Sequence, residues 1–343
     1  MKHSKLGKYD PRPPVPKGQT MKTSAMIASL AAEGMATIAA PFGKALNELA
    51  ESNDKIVGLS ADLAKYTDIH IFRDKYPDHF YQMGMAEQVL VSAAAGLARE
   101  GFQAWATTYA VFAARRAYDF VAMAIAEENL NVKIVAALPG LTTGYGPSHQ
   151  ATEDVAIFRG MPNMTIIDPC CATDIMQATH AISAYEGPVY MRLLRGKVPD
   201  VLGAYDYEFE LGKAKMVRDG NDVLFISTGL MTMRVLDAAK RLQSDSVDCA
   251  VLHVPTIKPL DTETIIEAAQ KSGRMVVVAE NHSVIGGLGE GVARTLLSAG
   301  VTPKFRHIGL PDEFLDAGAL PTLHDRYGLS VEEVCASTKR WLS

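Results

Sequence analysis

The sequence predicts an α/β protein with two open, doubly wound domains. Short apolar, β-rich runs alternate with helical patterns along most of its 343 residues. Apolar strands separated by helices are typical of a parallel sheet covered on both faces. A polar stretch at 196–210, with Pro199 and Gly203, interrupts the alternation and is typical of a linker. At about 150 residues per domain, the length also fits two domains.

The first domain is expected to follow an N-terminal arm. Residues 1–20 carry prolines among many charged residues, which predicts an extended segment. Helix-forming residues continue from Ser24 to Ala40, and Pro41 then starts a second helix. The elements predicted after these are a strand at 56–60, a helix at 86–99, a strand at 103–108, a helix at 112–127, strands at 132–138 and 165–168, a helix at 172–185 and a strand at 189–193.

A second βα series follows the linker. Its predicted elements are a strand at 223–228, a helix at 231–242, a strand at 248–254, a helix at 261–271, a strand at 275–279, a helix at 288–298 and a strand at 305–308. We therefore expect an arm with an extra helix at 1–34, a domain with a parallel sheet at 35–197, a linker at 198–212 and a domain with a mostly parallel sheet at 213–343.

Composition excludes several classes of protein. The chain has 34 basic and 39 acidic residues and a net charge of -5, which argues against a nucleic-acid binder. No uninterrupted apolar run reaches the roughly 18 residues of a membrane span, and the first twenty residues lack the apolar core of a secretory signal. We expect a cytoplasmic protein with no nucleic-acid or membrane partner. Its four cysteines are too few for a disulfide scaffold, so we expect buried, reduced thiols.

Common cofactor and metal motifs are missing. The glycine cluster at 286–291 does not match the dinucleotide-binding pattern, because Val292 takes the place of its last glycine. The sequence has no phosphate-binding P-loop, no HExxH and no GxSxG. Its histidines do not fall at metal-ligand spacing, so we expect no metal held by this chain alone.

Ligands of open α/β sheets bind at the carboxyl ends of strands, and the first candidate loop there contains Glu87. Spacing alone favours an ordinary first-turn glutamate stabilised by the helix dipole. The apolar neighbours Met83, Met85, Val89 and Leu90 favour another interpretation. Apolar surroundings would let this carboxyl share a proton with a ring nitrogen of a ligand.

Two more loops are candidates. The loop at 143–150 combines glycines, which allow a positive φ or a close approach to a ligand, with His149, which can exchange a proton near neutral pH. The alternative is a solvent-exposed loop histidine. The third loop joins Tyr109 to Phe112, and such aromatic residues are by default core packing.

Five landmarks in order carry a family resemblance. They are SADLA at 60–64, GMAEQ around Glu87, Thr-Thr-Tyr before Phe112, GPSHQ at 146–150 and MPNM at 161–164. From about residue 35 to its end, the chain resembles the C-terminal half of transketolase and related thiamine-diphosphate enzymes. The resemblance implies a pyrimidine-binding domain followed by a transketolase C-terminal domain.

One part of a full transketolase has no counterpart in the sequence. The family binds the coenzyme's diphosphate through Mg²⁺ with a GDG motif followed by an asparagine, and the nearest imitation, at 218–221, has the wrong first residue. The chain therefore resembles one subunit of a split transketolase. The resemblance implies a partner subunit that holds Mg²⁺ and the diphosphate, and a heterotetramer with two chains of each kind.

The resemblance also implies roles for individual residues. Glu87 would hydrogen-bond the pyrimidine ring nitrogen and favour the imino tautomer, Phe112 would stack on that ring, and Tyr109 would line the pocket. His149 would face the substrate and shuttle protons. Arg195 falls where the family binds phosphate, and a surface ion pair is the equal alternative.

Other positions depart from the family or have a less direct role. Asp62 lies in a family motif near the coenzyme site, where we expect a structural or interfacial role. Tyr145 replaces a sugar-reading aspartate, and Ala137 replaces a phosphate-binding histidine. Arg115 stands in place of an aromatic residue and could supply a replacement anion contact. We infer that the substrate differs from a standard sugar phosphate or is held differently.

The resemblance implies a thiamine-diphosphate-dependent transfer of a two-carbon ketol unit from a ketose, phosphorylated or otherwise anionic, to an aldose. Two alternatives stay open: the β subunit of a 2-oxoacid dehydrogenase and a catalytically silent assembly subunit. The GPSHQ and MPNM motifs favour transketolase over the dehydrogenase.

Overall fold

The computed structural model describes residues 36–271 and 273–343. The expected arm and most of the helix expected from Ser24 lie outside these residues. The first domain contains, in chain order, β1 (Thr37–Ala39), α1 (Pro41–Ala50), β2 (Ile56–Ser60), α2 (His70–Lys75), β3 (Phe80–Gln82), α3 (Glu87–Arg99), β4 (Gln103–Tyr109), α4 (Ala110–Val121), β5 (Val132–Ala137), α5 (Asp154–Arg159), β6 (Thr165–Ile167), α6 (Ala172–Ala184), β7 (Val189–Leu193) and β8 (Lys197–Pro199).

The second domain continues the βα alternation. Its elements are β9 (Lys215–Arg218), β10 (Val223–Ser227), α7 (Leu230–Ser244), β11 (Cys249–His253), β12 (Thr256–Lys258), α8 (Thr262–Gln270), β13 (Met275–Ser283), α9 (Leu288–Ser298), β14 (Phe305–Leu310), α10 (Leu320–Arg326) and α11 (Val331–Leu342). In the described part of the chain, no helix combines the length and the apolar character that a membrane crossing requires.

The two sheets confirm the expected fold of two α/β domains. The first sheet has seven strands in the order β12-β6-β7-β5-β4-β2-β3, and the second has five in the order β14-β13-β10-β11-β9. Strands β2 to β7 pair in parallel, and in the second sheet only β9 is antiparallel. The buried apolar strands form the cores, as continuous apolar runs predicted.

One strand crosses between the domains. β12 leaves the second domain and pairs antiparallel with β6, so the first sheet is not purely parallel as expected. Sequence periodicity did not indicate this strand, because three residues are too short a run to show a period. The crossing strand ties the second domain to the edge of the first sheet.

The prediction of helix up to Ala40 is wrong at its end. Residues 37–39 form β1, which pairs antiparallel with β8, and Ala40 then takes a left-handed φ of 48° before α1 begins at Pro41. The β-branched side chains of Thr37 and Ile38 suit a strand. The pairing partner lies more than a hundred residues away, where helical propensity gives no signal of it.

The expected linker is an ordered connection. It includes β8 and a single turn at Leu202–Ala204, and it buries Tyr207 and Phe209. The side chain of Gln177 on α6 donates to the Tyr207 carbonyl and accepts from the Phe209 amide at 2.6 Å. These contacts fasten the connection to the first domain.

A buried arginine joins the two domains. Arg192 on β7 donates to both oxygens of Asp154 at 3.1 and 2.9 Å and to Asp168 at 2.8 Å. It also donates to the Asn281 carbonyl of the second domain at 3.0 Å. Each of these buried charges therefore has an oppositely charged, hydrogen-bonded partner, which offsets the cost of removing it from water.

A second buried network lies at the same domain boundary. Asp174 on α6 accepts from the Tyr207 hydroxyl at 2.6 Å and contacts Nε2 of His253 on β11 at 2.9 Å. The other ring nitrogen of His253 contacts Thr232 at 2.8 Å. All four cysteines are free, with three buried and Cys335 half-buried.

Candidate functional site

The glutamate of the first candidate loop is buried at the start of a helix. Gly84, with a φ of 71°, turns the chain after β3, and Glu87 is the first residue of α3. Its side chain is 2% exposed, and both carboxylate oxygens accept from Nη1 of Arg116, at 3.2 and 3.3 Å. A buried carboxylate thus meets one half-exposed cation.

The expected apolar surroundings of Glu87 are only partly present. Leu90 is fully buried, but Met85 and Val89 are 70% and 54% exposed, and Met83 is half-buried. Val89 points away from Glu87 because residues two apart on a helix point in nearly opposite directions, and the two methionines precede α3. Burial of Glu87 therefore comes from the packing of α3 and α4 and not from a methionine-lined pocket.

Three aromatic residues surround His149. The Phe112 ring lies 5.5 Å from the imidazole, Tyr145 also lies 5.5 Å away, and Tyr109 lies 6.4 Å away. Tyr109 ends β4 and Phe112 lies in the first turn of α4, so both stand at the carboxyl end of a central strand. Burial raises the pKa of Tyr109, and the charge of Arg195 partly opposes that effect. The structure thus brings Tyr109, Phe112, Tyr145 and His149 together.

The loop that carries His149 is held by the second domain. The Leu141 amide donates to Oδ1 of Asn281, and the Leu141 carbonyl accepts from Nε2 of His324, both at 2.8 Å. His324 is buried, and burial together with the charge of Arg234 lowers its pKa to about 4. A neutral imidazole therefore fixes the loop at neutral pH.

The glycines of this loop allow a close approach, but to the chain's own second domain. The Gly318 amide donates to the Gly144 carbonyl at 3.0 Å. A Cβ at Gly144 would lie 2.0 Å from the Gly318 carbonyl oxygen, so only glycine fits there. The Gln150 side chain adds a bond to the Asp316 carbonyl at 3.1 Å. The predicted positive φ is confirmed at Gly146, which has a φ of 84°. The predicted approach of a ligand stays a prediction.

Arg115 is engaged within the first domain. It pairs with Glu153 and donates to the carbonyls of Pro147 and Gln150, at 2.9 and 3.3 Å. These bonds fasten the His149 loop to α4. A substrate contact by Arg115 would require one of them to break, and that contact stays a prediction.

Arg195 follows β7 and is buried beside residues that sequence reasoning did not single out. Its guanidinium lies 5.4 Å from the centre of the Tyr66 ring. Nearby, Asp68 accepts from the Gly196 amide at 2.7 Å. Burial raises the pKa of Asp68, while the Gly196 amide and the charge of Arg195 act in the opposite direction. Tyr66 and Asp68 lie just after the SADLA motif, and this position is the feature of the sequence that could have indicated them.

Asp62 lies apart from these contacts. It follows β2 with an exposed side chain and a φ of 59°, and its amide donates to Gln82 on β3 at 2.7 Å. Ala137, where the family carries a histidine, is buried at the end of β5. The expected interfacial role of Asp62 stays a prediction.

The glycine cluster before α9 meets an internal carboxylate. Glu280 accepts from the amides of Leu288 and Gly289 at 2.7 and 2.8 Å, and from Nε2 of His307 at 2.8 Å. Backbone amides at the start of a helix often bind a phosphate, but here the Leu288 and Gly289 amides already donate to the Glu280 carboxylate.

In the described part of the chain, one cluster gathers atoms that could ligate a metal. Cys170, Asp174 and His253 place such atoms within 4.8 Å of one another. All three are buried, and Asp174 already bonds to His253, to Tyr207 and to the Cys170 amide. The cluster is therefore part of the buried hydrogen-bond network at the domain boundary.

The chemistry of the Glu87 site suits a flat, nitrogen-containing ring. Its carboxylate offers two acceptor oxygens, and Phe112 offers an aromatic face next to them. The His149 imidazole lies beside that ring and offers two nitrogens that can donate or accept hydrogen bonds. The aminopyrimidine of thiamine diphosphate fits this arrangement when one proton is shared between its ring nitrogen and the Glu87 carboxyl group.

Comparisons with known proteins identify the family of both domains. The family model of the transketolase pyrimidine-binding domain matches residues 34–200, and that of the transketolase C-terminal domain matches residues 212–334. A transketolase family protein of Sinorhizobium fredii is 67% identical over 323 residues, 94% of each chain. A 6-deoxy-6-sulfo-D-fructose transketolase subunit of a Clostridium species is 38% identical over 84% of this chain and 89% of its own.

Solved structures show the same relationship. A structure described as a split gene transketolase, inactive beta4 tetramer, superposes with a TM-score of 0.80 at 40% identity, covering 88% of this chain and 97% of its own. A transketolase from Campylobacter jejuni shares the fold at a TM-score of 0.73 and 18% identity, with 47% of its length covered. With both of its domains matched in order, the chain belongs to the transketolase family.

Proposed function

We propose that this chain is the pyrimidine-binding subunit of a thiamine-diphosphate-dependent transketolase that is completed by a second chain. The observation that carries the proposal is the buried Glu87 carboxylate beside the Phe112 ring, within a domain that matches the family's pyrimidine-binding model. Relatives at 31–32% identity are 1-deoxy-D-xylulose-5-phosphate synthases, enzymes of the same family.

The residues of this chain would share the work as follows. Glu87 would share a proton with the ring nitrogen: the carboxyl group donates while it holds the proton and accepts once the proton lies on the ring. Phe112 would stack on the ring and fix its plane. When bound, the coenzyme supplies an electron sink for cleavage of a carbon–carbon bond. His149 lies next to Phe112 and would move a proton at a substrate hydroxyl.

We propose an anionic ketose as the donor. Arg195 supplies a buried cation near Tyr109, and a guanidinium suits a phosphate or sulfonate group. Tyr145 offers a hydroxyl and an aromatic face where the family has a carboxylate. Relatives support the class, since one is named for a sulfonated fructose and a subunit from Phocaeicola vulgatus, 35% identical, for apulose-4-phosphate.

A second chain would supply the rest of the site. The chain aligns with 49% of a 1-deoxy-D-xylulose-5-phosphate synthase, which leaves half of that enzyme without a counterpart. Exposed apolar side chains flank Glu87 and Arg116 along the same two helices. They are Met85 and Val89, in or just before α3, and Phe120 and Met123, near the end of α4. We propose that the partner, which holds Mg²⁺ and the diphosphate, covers this surface in a heterotetramer.

The test is reconstitution with the companion chain, thiamine diphosphate, Mg²⁺ and candidate ketoses. Glu87→Ala should lower ketol transfer by about 10³-fold or more while the complex elutes unchanged on size exclusion, because the general acid–base machinery acts through this carboxylate. Arg99→Ala, which removes an arginine from an exposed ion pair, is the matched control and should keep full activity.

Each alternative has its own signature in this experiment. Wild-type activity in Glu87→Ala would identify a catalytically silent assembly subunit. Release of CO₂ from pyruvate by the reconstituted pair, without ketol transfer, would identify a 2-oxoacid dehydrogenase β subunit.

A further inference from the structure

Arg116 contacts both groups that the proposed function assigns to the pyrimidine ring. Its Cζ atom lies 3.8 Å from the centre of the Phe112 ring, and its Nη1 lies 3.2 and 3.3 Å from the two oxygens of Glu87. Phe112 and Arg116 are four residues apart on α4, so they lie one above the other on the same helix face.

The guanidinium group resembles an aminopyrimidine in the contacts it makes. Both are planar and place a nitrogen against a carboxyl group: the guanidinium donates to it, and the pyrimidine ring nitrogen shares one proton with it. A guanidinium also stacks on aromatic rings. A stacked pyrimidine that is hydrogen-bonded to Glu87 would need the same ring face and the same carboxylate oxygens. Arg116 and the coenzyme ring therefore exclude each other at this position.

The exposures of the two partners show which one can leave. The Arg116 side chain is 45% exposed, whereas Glu87 is 2% exposed. A long, exposed side chain on the surface of α4 can turn into solvent at small cost, but a buried carboxylate without a partner is costly. Arg116 thus satisfies Glu87 until another partner replaces it.

We propose that Arg116 is an internal competitor for the pyrimidine site and sets the affinity of this subunit for its coenzyme. This inference rests on the proposed function. Binding of the coenzyme ring would move the guanidinium off Phe112, and the ring would take over its bond to Glu87. The ion pair would in this way give the buried carboxylate a partner in the unassembled chain while it weakens premature coenzyme binding.

The test is a calorimetric titration of thiamine diphosphate with Mg²⁺ into the complex of this chain and its companion. Arg116→Gln, which removes the charge and the planar cation, should bind the coenzyme about five- to thirty-fold more tightly than the wild type. Arg116→Lys keeps the charge but loses the flat stacking group and should lie between them. Arg99→Gln, in a surface pair away from Phe112, is the matched control and should bind like the wild type.

Two results would overturn the inference. Unchanged affinity in Arg116→Gln would show that no competition exists, and weaker binding would make Arg116 a ligand of the coenzyme. If either occurs while the wild-type complex binds the coenzyme and transfers ketol units, the proposed function stands and only this inference fails. A wild-type complex that binds no coenzyme would remove both.

Discussion

Carboxylates meet arginines in two regions of the molecule, and the two regions differ in exposure. At the domain boundary, Arg192 and its partners Asp154 and Asp168 are all nearly inaccessible to solvent. At the Glu87 site only the carboxylate is buried, and Arg116 reaches it from the surface. The same pair of chemical groups is therefore fully buried in one region and has one solvent-exposed member in the other.

The difference in exposure predicts that one ion pair stabilises the fold and that the other can be replaced by a ligand. A fully buried ion pair cannot lose one member without leaving a charge in a medium of low dielectric constant. A half-exposed arginine returns to water easily, so a ligand that hydrogen-bonds the carboxyl group can replace it. We expect substitutions at the boundary to act on folding and substitutions around Glu87 to act on activity.

The largest expected effect on folding is at Arg192. Arg192→Met removes the shared partner of Asp154 and Asp168 and should lower the free energy of unfolding by about 3–5 kcal/mol. Urea unfolding followed by circular dichroism measures it. The control Arg99→Met removes one side of an exposed pair and should leave the unfolding midpoint unchanged. Equal unfolding midpoints for Arg192→Met and the wild type would contradict the stabilising role of the buried ion pairs at the domain boundary.

His149 should show the opposite pattern. The residue is half-buried in a loop, so His149→Gln should leave unfolding unchanged but lower kcat of the reconstituted complex by about 10²-fold or more, since a proton-transfer group is lost. Steady-state kinetics on the complex tests this. Ser148→Ala removes the neighbour that contacts Nδ1 at 2.9 Å and should change kcat far less. A large loss of stability in His149→Gln would place the residue with the structural group.

A further effect should appear in the pH dependence of the free energy of unfolding, through His324. Its pKa is about 4 in the folded chain and 6.5 ordinarily, so between these values the unfolded chain binds a proton that the folded chain does not. Above about pH 6.5, His324 therefore does not lower the free energy of unfolding. As the pH falls towards 4, protonation of the unfolded chain lowers that free energy by roughly 3 kcal/mol in all.

The variant His324→Gln keeps an N–H donor for the Leu141 carbonyl but does not titrate. Its unfolding free energy should fall less steeply between pH 6.5 and 4.5 than that of the wild type, in parallel urea titrations. Identical slopes for the two proteins would contradict a neutral, buried His324.

Sequence reasoning predicted the framework and the centre of the site. The strands at 56–60 and 189–193 have the predicted bounds, because a buried parallel strand is a local apolar run. The motifs around Phe112 and His149 named residues whose rings the structure places 5.5 Å apart. Motif order was sufficient there, since the carboxyl ends of parallel strands meet at one edge of a sheet.

Contacts between distant segments escaped that reasoning. The bond from His324 to Leu141 spans 183 positions, and β1 pairs with a strand in the expected linker. Arg116 gave no signal either, because an exposed position on an amphipathic helix is an ordinary place for an arginine. Its significance depends on Glu87, which lies on another helix.

The sequence by itself determined the two α/β domains, the family and the identity of the residues at the candidate site, because apolar periodicity and motif order are properties of neighbouring residues. Only the tertiary structure decided which charges are buried in pairs and which are paired from solvent. Burial depends on how helices and strands pack across the chain, and burial determines whether an arginine beside a carboxylate stabilises the fold or can give way to a ligand.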